Sequence, residues 1–378
     1  MRRIVVLTGT RAEFGILTPL VEDLRKEKGV QVSLIVTAMH LVKDFGYTLK
    51  DIKRRGFKIS AVVPSIAKND TELGMVESMG NCICRLGRAL KRASPDVLVV
   101  LGDRSEMLAG AIAANLMNIP VAHIHGGDTS GNVDNVLRDA ITKLSHIHFP
   151  ATAKSAAKIL RMNEERWRVH VVGSLSIDAI RRHKMAPAKR LYKKYHLDPK
   201  KDLVLVVQHS VTYEPDKAAA QIDATLAAAK ALKMQTVIFY PNADAGGRRI
   251  ISRIERTRKL PYIRIIKSVP REEYLALLGM ADVLVGNSSS GIIEGPSFKL
   301  PVINLGTRQK KRERSGNVVD ADHDAKAILK AVGYVLTDGP FRKKLRKIKN
   351  IYGDGRTSEK IIRILKNVPL DERLLIKR

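Results

Sequence analysis

Short apolar runs alternate with longer amphipathic stretches along most of the chain. In the first half these runs are Ile4–Leu7, Val32–Val36, Val97–Leu101, Val121–Ile124, His146–Phe149 and Val169–Val172. Aliphatic runs without polar alternation are typical of strands that are buried on both faces. Strands separated by helical stretches predict a parallel, doubly wound α/β sheet.

The pattern pauses in the middle of the chain and then resumes. Residues 180–201 contain no strand-like run and include Pro187 and Pro199, which favours a connection between domains. Further runs follow at Leu203–Val207, Thr236–Tyr240, Ile263–Ile266, Val283–Val285 and Val302–Leu305. We therefore predict two Rossmann-like doubly wound domains, residues 1–180 and 181–356, that face a central cleft. The length of 378 residues agrees, because single cores stop growing at about 250–300 residues.

Composition and charge narrow the classes of function. Hydrophobic residues make up 44% of the chain but aromatic residues only 4%, so aliphatic side chains must build the cores. The formal net charge of +29 by itself favours a nucleic-acid partner, because clustered Lys and Arg release counterions from phosphates. The basic residues are instead spread over the whole chain, and the aromatic residues are too scattered for a base-stacking platform. We therefore expect no nucleic-acid partner.

The sequence also carries no sign of a membrane segment. No apolar run approaches the roughly 20 residues that span a bilayer, and the opening MRRIVVLTGT leads straight into a strand. We expect a cytoplasmic protein without a membrane partner. Cys82 and Cys84 lie two apart in a helical stretch, so we expect them to point to opposite faces and to have structural roles.

Candidate chemistry follows the strands, because ligands of open parallel sheets bind beyond the carboxyl ends of the strands. After the first strand, Gly9 permits a tight turn and Arg11 adds a fixed charge at a helix start. This arrangement suits either an anion site or a plain helix-capping turn. After the run Val97–Leu101, Asp103 and Arg104 stand side by side, and Asp103 suits either proton transfer or a helix cap.

The loop after Val121–Ile124 is polar and rich in glycine. It contains His123, His125 and Asp128, which are groups suited to proton transfer near neutrality, so we predict a catalytic role. His123 and His125 have the spacing of metal ligands on a strand, but no further Cys or His cluster completes a ligand set, and we expect no metal. On the next helix Asp134 and Arg138 lie four apart, where they either pair with each other or belong to the site.

The second half places different chemistry at its strand ends. The first strand ends at His209, the second at Asn242, and the fourth at a GNSSSG segment. Hydroxyls and backbone N–H groups at a helix start bind phosphate, and the carboxylate of Glu294 suits the two hydroxyls of a ribose. The serine-nucleophile motif GxSxG is absent. Arg308 follows the last strand and either reaches a phosphate or belongs to a solvated basic loop.

Several of these segments together resemble the hydrolysing UDP-N-acetylglucosamine 2-epimerases. The matching segments are GTRAEFG, LGDRSEMLAGAIAA, HIHGGDTSG, RDAITKLSH, HSVTYE, YPNADAGGR, GNSSSGIIE and INLGTRQ. They occur in the right order over nearly the whole chain. The related non-hydrolysing epimerases usually read GTRPE near the start and HGDT in place of LGDR, so this chain resembles the hydrolysing branch.

The resemblance implies a fold of the glycosyltransferase B type, with a last helix, 357–378, that packs back on the first domain. It implies that UDP-N-acetylglucosamine and water become N-acetylmannosamine and UDP, through anti elimination to a 2-acetamidoglucal and addition of water. It implies no cofactor, a UDP-sugar as the partner, and a homodimer or homotetramer.

The resemblance also implies roles for individual residues. The acid–base groups would be Asp103, Asp128 and Asp134, and His209 would stabilise charge on the leaving diphosphate. Arg104 would lie beside the diphosphate, and His40 and His125 near the sugar. The remaining UDP ligands would be Arg11, Asn242, Ser288, Ser289, Glu294 and Arg308.

Two positions depart from the family. The loop that commonly reads GGE reads Gly126-Gly127-Asp128, one methylene shorter, and Asp139 stands after Arg138 where the family commonly has histidine. Both changes fall on the hexose side. Three alternatives therefore stay open: the same chemistry on a UDP-linked diacetamido-trideoxyhexose, the same chemistry on a GDP-linked amino sugar such as GDP-GlcNAc, and a glycosyltransferase of the same fold.

Overall fold

The described residues divide into two units, each with its own sheet. The computed structural model describes residues 1–43, 46–67, 72–129, 134–182, 185–211, 213–242 and 245–377, without the side chains of Glu72 and Asp134. Unit 1 comprises residues 1–129, 134–182 and 352–377 of this described part, and unit 2 comprises its residues between 185 and 351.

Each unit is built on one parallel sheet. Sheet A of unit 1 contains β1 (Arg2–Thr8), β2 (Val30–Thr37), β3 (Ile59–Val63), β4 (Val97–Leu101), β5 (Val121–Ile124) and β6 (Ile147–Phe149). Sheet B of unit 2 contains β7 (Leu203–Val207), β8 (Gln235–Phe239), β9 (Ile263–Ile266), β10 (Val283–Gly286), β11 (Val302–Leu305) and β12 (Val318–Ala321). The strand orders are β3-β2-β1-β4-β5-β6 and β12-β11-β10-β7-β8-β9, so both units have the same order counted from their own first strand.

Helices connect the strands and cover the sheets. In chain order the helices of the described residues are α1 (Arg11–Lys26), α2 (Leu49–Arg54), α3 (Glu72–Ala93), α4 (Ser105–Leu116), α5 (Asp134–Leu144), α6 (Ala153–Arg161), α7 (Leu175–Arg182), α8 (Ala188–Lys194), α9 (Ala218–Leu232), α10 (Gly247–Glu255), α11 (Arg271–Met280), α12 (Ser289–Ile293), α13 (Ala325–Thr337), α14 (Gly339–Lys347), α15 (Thr357–Asn367) and α16 (Glu372–Leu375). Several helices begin at a residue whose side chain caps the first turn. Thr10, for example, caps α1 by accepting a hydrogen bond from the backbone N–H of Glu13 at 3.2 Å.

Alternate residues of each buried strand pack on opposite faces of the sheet. In sheet A, Val6 belongs to the same apolar cluster as Leu17 of α1, whereas Leu7 belongs to a second cluster with Leu86 of α3. In sheet B, Val206 packs in one cluster with Ile222 of α9, and α11 also contacts β7. Two parallel sheets of this kind confirm the predicted doubly wound α/β class.

Some predicted elements were wrong. Val169–Val172 forms no strand: Val169 makes an isolated bridge with His148, and the chain turns at Gly173, whose φ is +92°. β3 and β12 were missed because polar residues interrupt them, as Asp320 does in β12. The C-terminal segment predicted as one helix forms α15 and α16, which are separated around Pro369.

Two further expectations concern side chains and membrane spans. Cys82 is buried and Cys84 is exposed on α3, which confirms that they point to opposite faces of the helix. Among the residues that the structure describes, no helix is both long and apolar enough to cross a bilayer.

Candidate active site

The strand order places polar residues where ligands of such sheets bind. In sheet A the order reverses between β1 and β4, and in sheet B between β7 and β10. The crevice beyond the carboxyl ends of such strands is the usual ligand site of doubly wound folds. Gly9 and Asp103 follow β1 and β4, and His209 and Ser288 follow β7 and β10.

Asp103 is held by a buried arginine. Its carboxylate accepts a hydrogen bond from the guanidinium of Arg138, whose side chain is 2% exposed, while the Asp103 side chain is 26% exposed. Arg138 also donates to the backbone carbonyl of Asp128 at 2.8 Å. The arginine therefore ties the end of β4 to the loop after β5 and leaves the carboxylate accessible.

This pairing changes two expectations. Asp103 does not cap α4, because the residue at the cap position is Arg104, which makes no side-chain capping bond. The predicted pairing of Asp134 with Arg138 concerns the Asp134 side chain, which lies outside the part of the chain that the structure describes. Arg138 also donates to Asn135 Oδ1 at 3.1 Å.

The loop after β5 folds onto the start of α6. Asp128 is 4% exposed, and its Oδ1 accepts a hydrogen bond from the Ser155 hydroxyl at 2.8 Å. Its Oδ2 lies 3.5 Å from Nδ1 of His125. His125 is 8% exposed, and its Nε2 has no hydrogen-bond partner among the described residues. Asp128 thus lies beside a histidine whose Nε2 has no hydrogen-bond partner among the described residues.

The two histidines of the HxH pair have separate environments. His123 donates from Nε2 to the carbonyl of Gly102 at 2.7 Å, and its Nδ1 accepts from the Thr142 hydroxyl at 3.1 Å. Burial lowers the pKa of His123 to about 3. His125 leaves the strand with a φ of +65°, so the pair does not share a strand face. The described residues include no group of three His, Cys, Asp or Glu side chains suited to a metal ion.

Two arginines of unit 1 lie where strands end, Arg11 after β1 and Arg104 after β4. Arg11 forms an ion pair with Asp51 of α2, and Arg104 donates from Nε to Glu106 at 2.7 Å. His40 is fully buried, with Nε2 3.1 Å from the Thr8 hydroxyl and Nδ1 2.5 Å from the Thr48 hydroxyl.

His40 therefore has both ring nitrogens in hydrogen bonds. Burial lowers the pKa of His40 to about 4, so it is neutral at physiological pH. Its hydrogen bonds make it a packing residue behind the β1 turn rather than a group with a free nitrogen for a ligand.

In unit 2, His209 is fixed as a neutral hydrogen-bond donor. Its Nδ1 accepts from the backbone N–H of Asn242 at 3.0 Å, which places the ring hydrogen on Nε2. Burial, with a smaller contribution from Arg308, lowers the pKa of His209 to about 3. Asn287 clamps the His209 backbone, accepting from its N–H at 2.7 Å and donating to its carbonyl at 2.9 Å.

The serine-rich segment forms a tight turn after β10. Gly286 has a φ of +143°, and a Cβ there would lie 2.1 Å from the Val207 carbonyl oxygen, so only glycine fits. Ser288 caps the short helix α12 by accepting from the Ser290 backbone N–H at 3.3 Å. Ser289 begins that helix, and both serines are half-buried.

Glu294 combines deep burial with incomplete pairing. Its side chain is 2% exposed and forms an ion pair with Arg271 of α11 through Oε1. Oε2 is buried and has no hydrogen-bond partner among the described residues. Burying an unsatisfied carboxylate oxygen costs free energy, which favours a ligand hydroxyl as its partner.

Arg308 proves to be buried and not part of a solvated loop. It is 9% exposed and donates from Nη1 to the Asn287 carbonyl at 3.1 Å. Sequence reasoning assigned no role to Arg271, Asn287, Glu13 or Glu106, because their importance depends on burial and on partners distant in the chain.

The fold and these strand ends define an α/β enzyme of the two-unit, doubly wound class. A family model described as UDP-N-acetylglucosamine 2-epimerase matches residues 22–366. The UDP-N,N′-diacetylbacillosamine 2-epimerase (hydrolyzing) of Legionella pneumophila is 39% identical and covers 100% of this chain and 99% of its own. A UDP-N-acetylglucosamine 2-epimerase of Neisseria meningitidis is 34% identical over 90% of this chain and 89% of its own.

A solved structure has the same fold. The UDP-GlcNAc 2-epimerase from Neisseria meningitidis bound to UDP-GlcNAc superposes with a TM-score of 0.83 at 22% identity, over 97% of this chain and 100% of that chain. The chain belongs to the UDP-N-acetylglucosamine 2-epimerase family, which confirms the resemblance inferred from the sequence motifs.

Proposed function

We propose that this chain hydrolyses UDP-N-acetylglucosamine with inversion at carbon 2, releasing N-acetylmannosamine and UDP. Asp103 carries the proposal. It is an accessible carboxylate at the strand-order switch of sheet A, held in place by the buried Arg138. A carboxylate so placed suits removal of a proton from carbon 2 of a sugar.

The proposed reaction has two balanced steps. In the first, Asp103 takes the carbon 2 proton as the bond between carbon 1 and the diphosphate oxygen breaks, giving UDP and a 2-acetamidoglucal with a carbon 1–carbon 2 double bond. In the second, water adds across that double bond. Its hydroxyl goes to carbon 1, and a proton goes to carbon 2 on the face that gives the inverted sugar.

Unit 2 supports binding of the UDP. The unpaired Oε2 of Glu294 suits a ribose hydroxyl, and the Ser288–Ser289 turn suits a phosphate. His209 offers an Nε2–H donor whose neutral charge is fixed by burial, and Arg308 adds a cation. Donors that are oriented before reaction stabilise charge on a leaving group, which is usually the largest catalytic contribution.

Unit 1 supports a second acid–base group. We propose that Asp128 acts through His125, because Asp128 Oδ2 lies 3.5 Å from His125 Nδ1 and the Asp128 carboxylate is otherwise bound to Ser155. The shorter Asp128 side chain then positions the loop, and we assign the proton exchange to His125 Nε2, which has no hydrogen-bond partner among the described residues. Asp134 stays a further candidate for this group, and Arg11 and Arg104 for contacts to the diphosphate.

One observation favours a second sugar. The Legionella pneumophila relative, 39% identical over the whole chain, is named for UDP-N,N′-diacetylbacillosamine. The departures at Asp128 and Asp139 also fall on the proposed hexose side. The alternative substrate is therefore a UDP-linked diacetamido-trideoxyhexose, with the same elimination and addition.

Incubation with single nucleotide sugars and no acceptor tests the proposal. UDP-N-acetylglucosamine, the UDP-linked diacetamido sugar and their GDP counterparts are compared by kcat/KM, with the nucleotide and the sugar both identified. We expect equal amounts of UDP and free 2-epimerised sugar. A 2-epimer still linked to UDP would contradict hydrolysis, and UDP release only after an acceptor is added would instead identify a glycosyltransferase.

A further inference from the structure

Two carboxyl groups are buried beneath the turn that follows β1. Glu13, in the first turn of α1, is 6% exposed, and Glu106, in the first turn of α4, is 4% exposed. Glu13 Oε2 accepts a hydrogen bond from the Gly9 backbone N–H at 2.8 Å. A Cβ at Gly9 would lie 2.1 Å from Glu106 Oε1, so Glu106 packs directly on the same glycine.

The two carboxyl groups have different partners. Glu106 forms an ion pair with Arg104 at 2.7 Å and lies 3.3 Å from the Ser105 hydroxyl. The hydrogen bonds of Glu13 include no cation, and its Oε1 is buried without a hydrogen-bond partner among the described residues. Of the pair, only Glu106 therefore has a bonded counter-charge.

The surroundings favour a neutral Glu13. Burial raises the pKa of Glu13 from its ordinary 4.5 to about 8, and the charge of Glu106 adds to this rise, whereas the Gly9 N–H and Arg104 oppose it. His40, which also faces Glu106, supplies no counter-charge, because burial holds its pKa near 4. Arg11, which also acts on His40, is paired with Asp51.

We infer that Glu13 is a positioning residue that works as the neutral acid. It anchors the Gly9–Arg11 turn through the Gly9 N–H, and its neutrality leaves Glu106 free to hold Arg104. The inference rests on the proposed function, in which Arg11 and Arg104 face the diphosphate. Ionised Glu13 would set two like charges against one glycine turn and would compete with Glu106 for Arg104.

The sign of the pH dependence follows from the proton that Glu13 keeps on folding. Between about pH 4.5 and pH 8 the folded chain holds this proton and the unfolded chain releases it. The contribution of Glu13 to stability is therefore complete below pH 4.5 and is lost as the pH rises through 8. The glutamine of Glu13→Gln cannot ionise and removes this dependence.

The test compares wild type, Glu13→Gln, Glu13→Ala and the control Glu22→Gln, which makes the same change elsewhere on α1. Thermal unfolding without ligand is followed from pH 5 to pH 9, and kcat/KM for the best UDP-sugar is measured over the same range. We expect the Tm of wild type and Glu22→Gln to fall more steeply with pH than that of Glu13→Gln. At pH 7 we expect kcat/KM of Glu13→Gln to lie within about threefold of wild type and kcat/KM of Glu13→Ala to fall by about tenfold or more. Above pH 8 we expect kcat/KM of wild type to decline and that of Glu13→Gln not to decline.

Two results would overturn the inference. If kcat/KM of Glu13→Gln at pH 7 is as low as that of Glu13→Ala, Glu13 must transfer its proton. Unfolding and kcat/KM profiles of Glu13→Gln that parallel wild type would mean that Glu13 is not the titrating group. Absence of UDP release by wild type would contradict the proposed function alone, because the unfolding curves without ligand still decide the state of Glu13.

Discussion

Burial sets the charge of the histidines at the strand ends. Burial lowers the pKa of His40 to about 4 and the pKa values of His123 and His209 to about 3. Each is therefore neutral at physiological pH and acts as a donor and acceptor of hydrogen bonds. The sequence identified these histidines as candidates but could not assign their charge, because burial depends on the whole fold.

Asp103 is the residue on which proton removal depends. Asp103→Asn keeps an oxygen for Arg138 but cannot take a proton, so kcat should fall by about 10²–10⁴-fold, with the Kd for UDP nearly unchanged. The matched control is Asp96→Asn at the amino end of the same strand, where Asp96 pairs with Arg3 and is 25% exposed, close to the 26% of Asp103. Turnover of Asp103→Asn close to that of wild type would remove Asp103 from the mechanism.

Glu294 can be tested through the ribose itself. Glu294→Gln should raise the Kd for UDP by about tenfold, equal to about 1.4 kcal/mol, and 2′-deoxy-UDP should bind wild type more weakly by a similar factor. Calorimetry on both ligands and both proteins completes a double cycle, in which the variant should no longer distinguish the two nucleotides. The control is Glu255→Gln, the same change at a half-buried carboxylate that pairs with Arg258 and accepts from the Tyr240 hydroxyl. If the variant and the missing 2′-hydroxyl weaken binding by additive amounts, Glu294 does not contact the ribose.

At the scale of elements, the strand-to-helix turns were predictable, whereas β3 and β12, two of the four edge strands, were not. The runs that begin at Val97, Leu203 and Val302 correspond to β4, β7 and β11, because buried central strands are continuously aliphatic. β3 and β12 lie at the edges of their sheets, where one side is open and polar residues are tolerated. Their short mixed sequences give no comparable signal.

The loop after β5 shows why a missing methylene need not be a defect. Asp128 already reaches Ser155 at 2.8 Å, and a Cβ on Gly127 would lie 2.2 Å from the Ser155 carbonyl oxygen, so the loop is closely packed on α6. The aspartate that replaces the glutamate of the family's GGE segment thus fits the close packing of this loop on α6. The shorter carboxylate of Asp128 reaches the Ser155 hydroxyl and accepts a hydrogen bond from it.

Restoring the glutamate of the family should therefore be harmful. Asp128→Glu adds a methylene to a packed loop and should lower the free energy of unfolding by about 1–3 kcal/mol, and it should reduce turnover through displacement of His125. Chemical denaturation and kcat are measured beside Asp96→Glu, the same change at a half-buried carboxylate that pairs with Arg3. Higher turnover of Asp128→Glu at unchanged stability would contradict this account of the loop.

At the scale of the molecule, the C-terminal segment completes unit 1. The buried guanidinium of Arg168 donates to the backbone carbonyls of Arg373, Leu374 and Ile376 at 2.7–2.9 Å. Lys377 donates to Glu164 at 2.7 Å. These partners lie more than 200 residues apart in the chain, so no local pattern could predict them.

The two units repeat one topology with different chemistry. Unit 1 presents Asp103 and the His125–Asp128 pair at its strand ends, whereas unit 2 presents His209, the serine turn and Glu294. This division accords with the proposal that unit 1 moves protons and unit 2 binds the nucleotide. It was predictable in outline, because the motifs stand at strand ends in the sequence, although their hydrogen-bond partners were not.

Reaction in heavy water tests the central claim most directly. Elimination followed by addition of water requires the proton at carbon 2 of the product to come from solvent. Mass spectrometry and proton NMR of the released sugar should therefore show one deuterium at carbon 2, with one UDP released per sugar. A released sugar that keeps its original hydrogen at carbon 2 would contradict the account.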